Sequence, residues 1–374
     1  MRYQYDAIVV GGGVIGGAIA YNLAKRGIKV LLLEKDRLAS KSSGAAAGML
    51  AAQAELDGVG PLFQLARKSR AMFTRLADEI KGTSGIDIEL INKGMLKVAI
   101  NEQEQQEYKR FIAIQRQSGD QADWLTGEEV REKEPALSQD IIGAMLLDKD
   151  GHVEAPQLTL GLLKSAAVLG VVIKEYVEVY DFQFTKERVT GVVTSEGDFT
   201  SENVIVAGGA WSKKLLSKTG IQLETHPVKG ECFSIVTHRP LLTSTIFSHG
   251  CYLVPKKGGR IIVGATVKPR TFNPKVTIEG ISFLMENAKK LMPSILEAEL
   301  EQTWAGIRPQ TADGYPYLGE HPVYKGLFIA TGHFRNGILL SPITGEIISD
   351  LVEGKSTSVN LAPFRVDRLV KQLV

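Results

Sequence analysis

"YDAIVVGGGVIGGAIAYNLAKRGIKVLLLEKD", residues 5–36, decides the fold. Its opening, "YDAIVV", is a short β-branched run that reads as a buried strand, and "KVLLLE" near its end reads as a second. Between them Ile19, Leu23 and Ala24 share one face of a helical pattern, which Gly27 closes. Strand, helix and strand in succession predict a βαβ unit with its two strands parallel.

The turn inside that unit carries Gly11, Gly13 and Gly16, and Glu34 ends the second strand. This is the dinucleotide fingerprint in the context it requires. Gly11 permits the tight turn, Gly13 lets main chain approach a pyrophosphate at the helix N-terminus, and Gly16 lets helix and strand pack closely. Glu34 is placed to accept ribose hydroxyls. The unit alone leaves FAD and NAD open. The next loop, "SKSSGAAAGML" (Ser40–Leu50), favours a flat ring system: hydroxyls come first, then residues small enough for amides to lie against a ring.

The rest of the 374 residues is ordinary for a globular protein of two domains, with 44% hydrophobic and 23% charged residues and a net charge of +2. No basic run with interleaved aromatics points to nucleic acid or a membrane surface. Two cysteines make no disulfide framework, and six scattered histidines offer no metal-ligand spacing. The apolar stretch 7–21 mimics a signal peptide, but it holds five glycines and runs straight into the βαβ unit, so a soluble cytoplasmic protein is expected.

Further along, residues 61–81 and 102–118 read as amphipathic helices, and "GMLKVAI" and "IIGAMLLD" as strands. "APQLTLGLLKSAAVLG" reads as a helix, with strands in "VVIKEYVEVYDF", "RVTGVVTSEGDF" and "ENVIVAGGAW". From His226 the texture turns to β, including a hairpin in "CYLVPKKGGRIIVGATV" with its tip at Lys257–Gly259. "IEGISFLMENAKKLMP" reads as a helix packed on a sheet. "GLFIATGH" reads as a last parallel strand, and "PITGEIISDLVEGK" as a helix whose start lies between Asn336 and Pro342.

One residue is out of place in this pattern. In "TWAGIRPQTADG" (Thr303–Gly314) the apolar run encloses Arg308. A guanidinium stays charged, and burying it alone costs several kcal/mol, roughly. Two anions fit at this stage: a structural Asp or Glu, and a substrate carboxylate.

Together "VVGGGVIGGAIAYNLAKRG", "SSGAAAGML", "PVKGE", "CYLVP", "WAGIRPQTADGYPYLGEHP" and "GHFRNGILLSPITG" resemble the FAD-dependent amine oxidases related to D-amino-acid oxidase, from Asp6 to about Leu351. The resemblance implies an α/β fold in which a Rossmann-like FAD-binding domain (1–85, 145–222 and 305–374) is interleaved with an antiparallel-sheet α+β substrate domain (86–144 and 223–304). It implies oxidation of glycine, sarcosine and small D-amino acids by O2, giving an imine and H2O2. The imine goes on to glyoxylate and ammonia, or to the thiazole of thiamine through a thiazole synthase. A homotetramer is implied too. Related D-amino-acid dehydrogenases and sarcosine oxidases are the alternative reading.

By the same resemblance Val14 and Ile15 lie at the pyrophosphate turn and Glu34 and Lys35 at the ribose. Ser42, Ser43, Ala47, Gly48 and Met49 run along the cofactor toward its ring, where Met49 also meets substrate. Val179 offers backbone near the adenine, and His333, Phe334, Arg335, Asn336, Gly337, Ile338 and Leu339 wrap the isoalloxazine. Arg308, Tyr252 and Arg335 fall where the family holds its substrate. Some relatives tether the flavin to a cysteine near Arg308; this chain has none there, so the FAD is expected to be noncovalent. Arg308 would grip the carboxylate as a planar fork, with Tyr252 donating a second hydrogen bond. Arg335 would touch substrate through its carbonyl or cap the ring. Cys251 must face away from Tyr252, and both cysteines are expected in the core.

Overall fold

The structure is a computed structural model that describes residues 4–55 and 58–369. The opening stretch forms β1 (Ala7–Val10), α1 (Val14–Lys25) and β2 (Val30–Leu33), with the two strands paired in parallel. Both strands are buried along their whole length, which is why their sequences are apolar without alternation. Gly11 has φ of 118°, and a Cβ there would lie 2.5 Å from the Ala207 carbonyl oxygen. A Cβ on Gly16 would overlap the Gly11 carbonyl. No residue with a side chain fits that turn unstrained.

These strands sit within a six-stranded sheet ordered Tyr317–Glu320, Leu327–Thr331, Val204–Val206, β1, β2, Val172–Lys174. All pairs are parallel except the first, an antiparallel edge that the sequence reading did not contain. Alternate residues of β1 feed two cores. Ala7 and Val9 face the helices α1, Ala155–Val168 and Gly337–Val352, whereas Ile8 and Val10 face the layer containing Phe182, Val189 and Val192 of a three-stranded antiparallel sheet.

A second, nine-stranded sheet is mostly antiparallel. Its centre is the hairpin of Cys251–Pro255 and Arg260–Gly264, with the expected tip. Beyond the hairpin, Thr225–Val236 pairs with the long strand Glu299–Thr311, from Thr225 beside Thr311 to Val236 beside Glu299. The helix Ile278–Leu291 packs on this sheet through Leu284, Ala288 and Leu291, leaving Ile278 88% exposed. Among the described residues no helix is long and apolar enough to cross a membrane.

One expectation is corrected in detail. The helix expected over 61–81 is two, Pro61–Ala71 and Phe73–Ser84, broken at Met72; the apolar spacing runs on across the break and so does not register it. The last helix starts at Gly337, within the expected range, and contains Pro342. Proline cannot donate to the Ile338 carbonyl four residues back, and the Ser341 hydroxyl donates there instead, at 2.9 Å. The strands Gly143–Leu147 and Glu299–Thr311 of the nine-stranded sheet span residues 145 and 305.

Candidate active site

A cavity of about 450 Å³ starts at the glycine turn, follows the loop after β2, and ends under the nine-stranded sheet. At the turn, Gly11, Gly13, Val14 and Ile15 form its wall. Gly13 offers no side-chain cap to α1, and the Val14 N–H is met at 2.9 Å by the Ser43 hydroxyl from the loop. Gly16 stays out of the wall and serves packing. The Glu34 carboxylate accepts the Gly12 N–H at 2.7 Å and the Asp36 N–H at 2.9 Å, which fixes it beside the turn. Lys35 lies over the Trp211 ring at 4.7 Å, and Val179 lines the same end with Val177.

The loop is strapped to the long strand. The Ser42 hydroxyl donates to the Ile307 carbonyl, and Trp304 Nε1 donates to the Ala45 carbonyl at 2.9 Å. Gly306 leaves room for Ala45, whose Cβ would lie 2.8 Å from a Cβ at 306. The small residues from Ala45 to Gly48, followed by Met49, therefore form a fixed side of the cavity.

Arg308 lies at the far end, on the long strand opposite Val228. Its Nη2 donates to the Thr266 carbonyl at 2.9 Å, and among the described residues it forms no salt bridge. A guanidinium carries five N–H donors. Burial draws its pKa below the ordinary value, and the nearby Arg335 charge adds to that. Gly230 makes the space: a Cβ there would overlap the guanidinium. Tyr252 is buried beside it, with its hydroxyl 3.6 Å from Cys232 Sγ. Burial pushes the Tyr252 hydroxyl well above its usual pKa, so it remains a donor at neutral pH. Cys251 faces the opposite side, packed with Leu253, as alternation requires. Both cysteines are buried, as expected, and Cys232 also lines the cavity.

Arg335 is at the cavity but is already engaged. Its Nε and Nη2 hold the two oxygens of Glu55 at 2.8 and 3.1 Å, and the Glu55 charge raises its pKa. Neither Glu55 nor Thr266 nor Gly230 carries a local sequence signal; each matters through a partner at least 40 residues away. His333, Phe334, Gly337 and Ile338 line the cavity, whereas Asn336 and Leu339 do not. Leu339 turns into the core, its carbonyl accepting the Ser69 hydroxyl. Burial pushes the His333 imidazole down to about 3, leaving it neutral and hydrogen-bonded to Thr344 at 3.1 Å. Phe334 holds φ of 47°, a strained value for a bulky residue, at the entry to the last helix. That helix presents its N-terminal residues Gly337 and Ile338 to the cavity with no side-chain cap, so its positive end is turned there.

These features suit a flavin dinucleotide. The turn is one that a Cβ would fill, α1 opens onto the cavity and would meet the phosphates, the Ala/Gly loop gives a wall of small residues, and a second helix end at Gly337 would favour charge on a reduced ring. The chain belongs to the DAO family of FAD-dependent oxidoreductases, whose profile matches residues 6–351.

Within that family it is similar to the glycine oxidase of Geobacillus kaustophilus (strain HTA426), at 46% identity over 98% of each chain. The crystal structure of glycine oxidase from Geobacillus kaustophilus matches with a TM-score of 0.96, over 98% of this chain and 99% of that one. The crystal structure of glycine oxidase from Bacillus cereus ATCC 14579 matches with a TM-score of 0.92 at 47% identity and the same coverage. A bifunctional protein ThiO/ThiG from Synechocystis is 34% identical over 99% of this chain, which spans 55% of that protein.

Proposed function

We propose that this chain is an oxidase that removes hydride from the α-carbon of glycine, with sarcosine and small D-amino acids as further substrates. The products are an imine, which yields glyoxylate and ammonia, and H2O2. The observation that carries this reading is the half-buried Arg308, without an ion-pair partner among the described residues, at the far end of the cavity. Noncovalent FAD, when bound, supplies the two-electron acceptor and returns the electrons to O2.

The chain's own residues do the rest. Glycine has almost no surface to grip, so its carboxylate must set its orientation. Arg308 binds that carboxylate as a fork, and the Tyr252 hydroxyl donates a further hydrogen bond. Because Glu55 neutralises Arg335, Arg308 is left at the far end of the cavity without an ion-pair partner among the described residues, which suits a single carboxylate. Held so, the α-carbon has one way to face the ring, and orientation of this kind lowers the barrier by several kcal/mol, roughly.

The likeness to a ThiO/ThiG protein supports a link between this oxidation and a thiazole synthase that takes up the imine. A cytoplasmic homotetramer is the assembly we assign. The test is aerobic turnover of glycine, sarcosine and D-alanine with peroxide measured. Peroxide in step with glyoxylate is expected. Flavin bleaching by anaerobic glycine without peroxide in air would point to the dehydrogenase alternative, and no bleaching by any of the three would overturn the reading.

A further inference from the structure

The run "PVKGE" (Pro227–Glu231) is part of the resemblance, yet only Gly230 has so far been given a task. Gly230 and Cys232 line the cavity, and Glu231 between them points away from it. Glu231 is fully buried. Its carboxylate accepts Lys229 Nζ at 3.0 Å, the Thr277 N–H at 2.8 Å, the Thr277 hydroxyl at 3.0 Å and the Thr266 hydroxyl at 3.1 Å. Its backbone holds the same Thr266 twice more: its N–H donates to Thr266 Oγ1 at 2.9 Å, and its carbonyl accepts the Thr266 N–H at 3.2 Å.

Thr266 is thus clamped by three hydrogen bonds to one residue, and its carbonyl is the group that accepts Arg308 Nη2. The clamp is closed from the helix side as well. Thr277 caps the helix Ile278–Leu291, and Gly280 in its first turn leaves the space that the Glu231 carboxylate fills. Two missing side chains, at 230 and 280, make room for Arg308 on one face of the strand and for Glu231 on the other.

We propose that Glu231 is a positioning residue for carboxylate recognition: it holds Thr266 so that the Thr266 carbonyl sets the Arg308 fork at the angle a substrate carboxylate needs. This rests on the reading of Arg308 given above. The plainer role for a buried Lys229–Glu231 pair is to tie helix to sheet. The two roles separate experimentally, because a tie changes stability and a positioning residue changes the ligand affinity of one particular arginine.

The experiment uses the FAD-loaded enzyme and four variants, Glu231→Gln, Gly280→Ala, Arg308→Lys and the Glu231→Gln/Arg308→Lys double. Acetate affinity is read from perturbation of the flavin spectrum, alongside the glycine KM and thermal unfolding. Glu231→Gln is expected to weaken acetate about five- to tenfold with FAD retained, to raise the glycine KM in parallel, and to have less than about a twofold effect in the Arg308→Lys background. Gly280→Ala, which crowds the same carboxylate from outside the cavity, is expected to shift acetate affinity in the same direction, and it decides the matter if the Gln variant does not fold. A loss of stability with acetate affinity and KM unchanged would overturn the proposal, as would an equal effect with and without Arg308. If Arg308→Lys alone leaves acetate binding intact, the reading of Arg308 falls, and this inference with it. If Arg308→Lys weakens binding and the 231 and 280 variants do not, this inference alone falls.

Discussion

At the nucleotide end of the cavity one stretch of the wall is main chain and small residues: Gly11 and Gly13, the first turn of α1, and the Ala/Gly segment up to Gly48. At the other end it is side chain: Arg308, Tyr252, Cys232, and the Glu55–Arg335 pair, brought from separate strands and loops. Recognition by main chain depends on what is absent from one contiguous stretch, so a single added methyl breaks it. Recognition by side chains depends on convergence, so it degrades one group at a time while the fold survives.

The sharpest test of that contrast is Arg308→Ala. It should keep its flavin yet lose about 4 kcal/mol in kcat/KM for glycine, on the order of a thousandfold, as for a truncated buried charge partner. Retained glycine affinity would break the comparison at its stronger end. Gly16→Ala should behave the opposite way. Its methyl overlaps the Gly11 carbonyl, and a cost of about 3 kcal/mol, seen as a lower thermal midpoint and a colourless preparation, is expected. Gly230→Ala lies between the two, because the backbone there is unstrained and only Arg308 is crowded. It should raise the glycine KM about tenfold with the flavin retained, measured by steady-state kinetics.

A smaller effect concerns pH. His333 is held neutral at about 3 against an ordinary 6.5, so between those values the unfolded chain binds the extra proton and stability falls as pH is lowered through 6.5. His152, buried beside the Lys256 charge, is likewise pushed down to about 3 and acts in the same direction. Replacing His333 by Gln should make the fall shallower by about 1 kcal/mol at one pH unit below 6.5, read from denaturant midpoints at several pH values. An unchanged slope would show that His333 is not held neutral.

The contrast also explains what could be read in advance. β1, α1 and β2 were legible because strand, turn and helix signals lie within residues 5–36, and the hairpin at 251–264 for the same reason. Arg308 stood out as a charge in apolar surroundings, but its task came from a resemblance, since the nearby acids Glu301 and Asp313 pair with Arg260 and Arg368 across the fold. Glu55 lies in "AAQAELD" with no periodicity or motif to mark it, and its importance appears once Arg335 is seen across the fold. Thr266 and Gly230 were invisible for the same reason. The edge strand Tyr317–Glu320 was missed because a four-residue strand bounded by turns leaves too short a pattern.

The strand Glu299–Thr311 acts as a ruler. Trp304 holds the Ala45–Gly48 loop that walls the cavity, and four residues on, Arg308 reaches the far end, where we propose the substrate carboxylate sits. That separation is set by strand pitch, about 3.4 Å per residue, and not by any closing of one half of the molecule on the other. A single residue gained or lost between 304 and 308 would turn the guanidinium to the far side of the sheet and leave a coloured protein with nothing to oxidise.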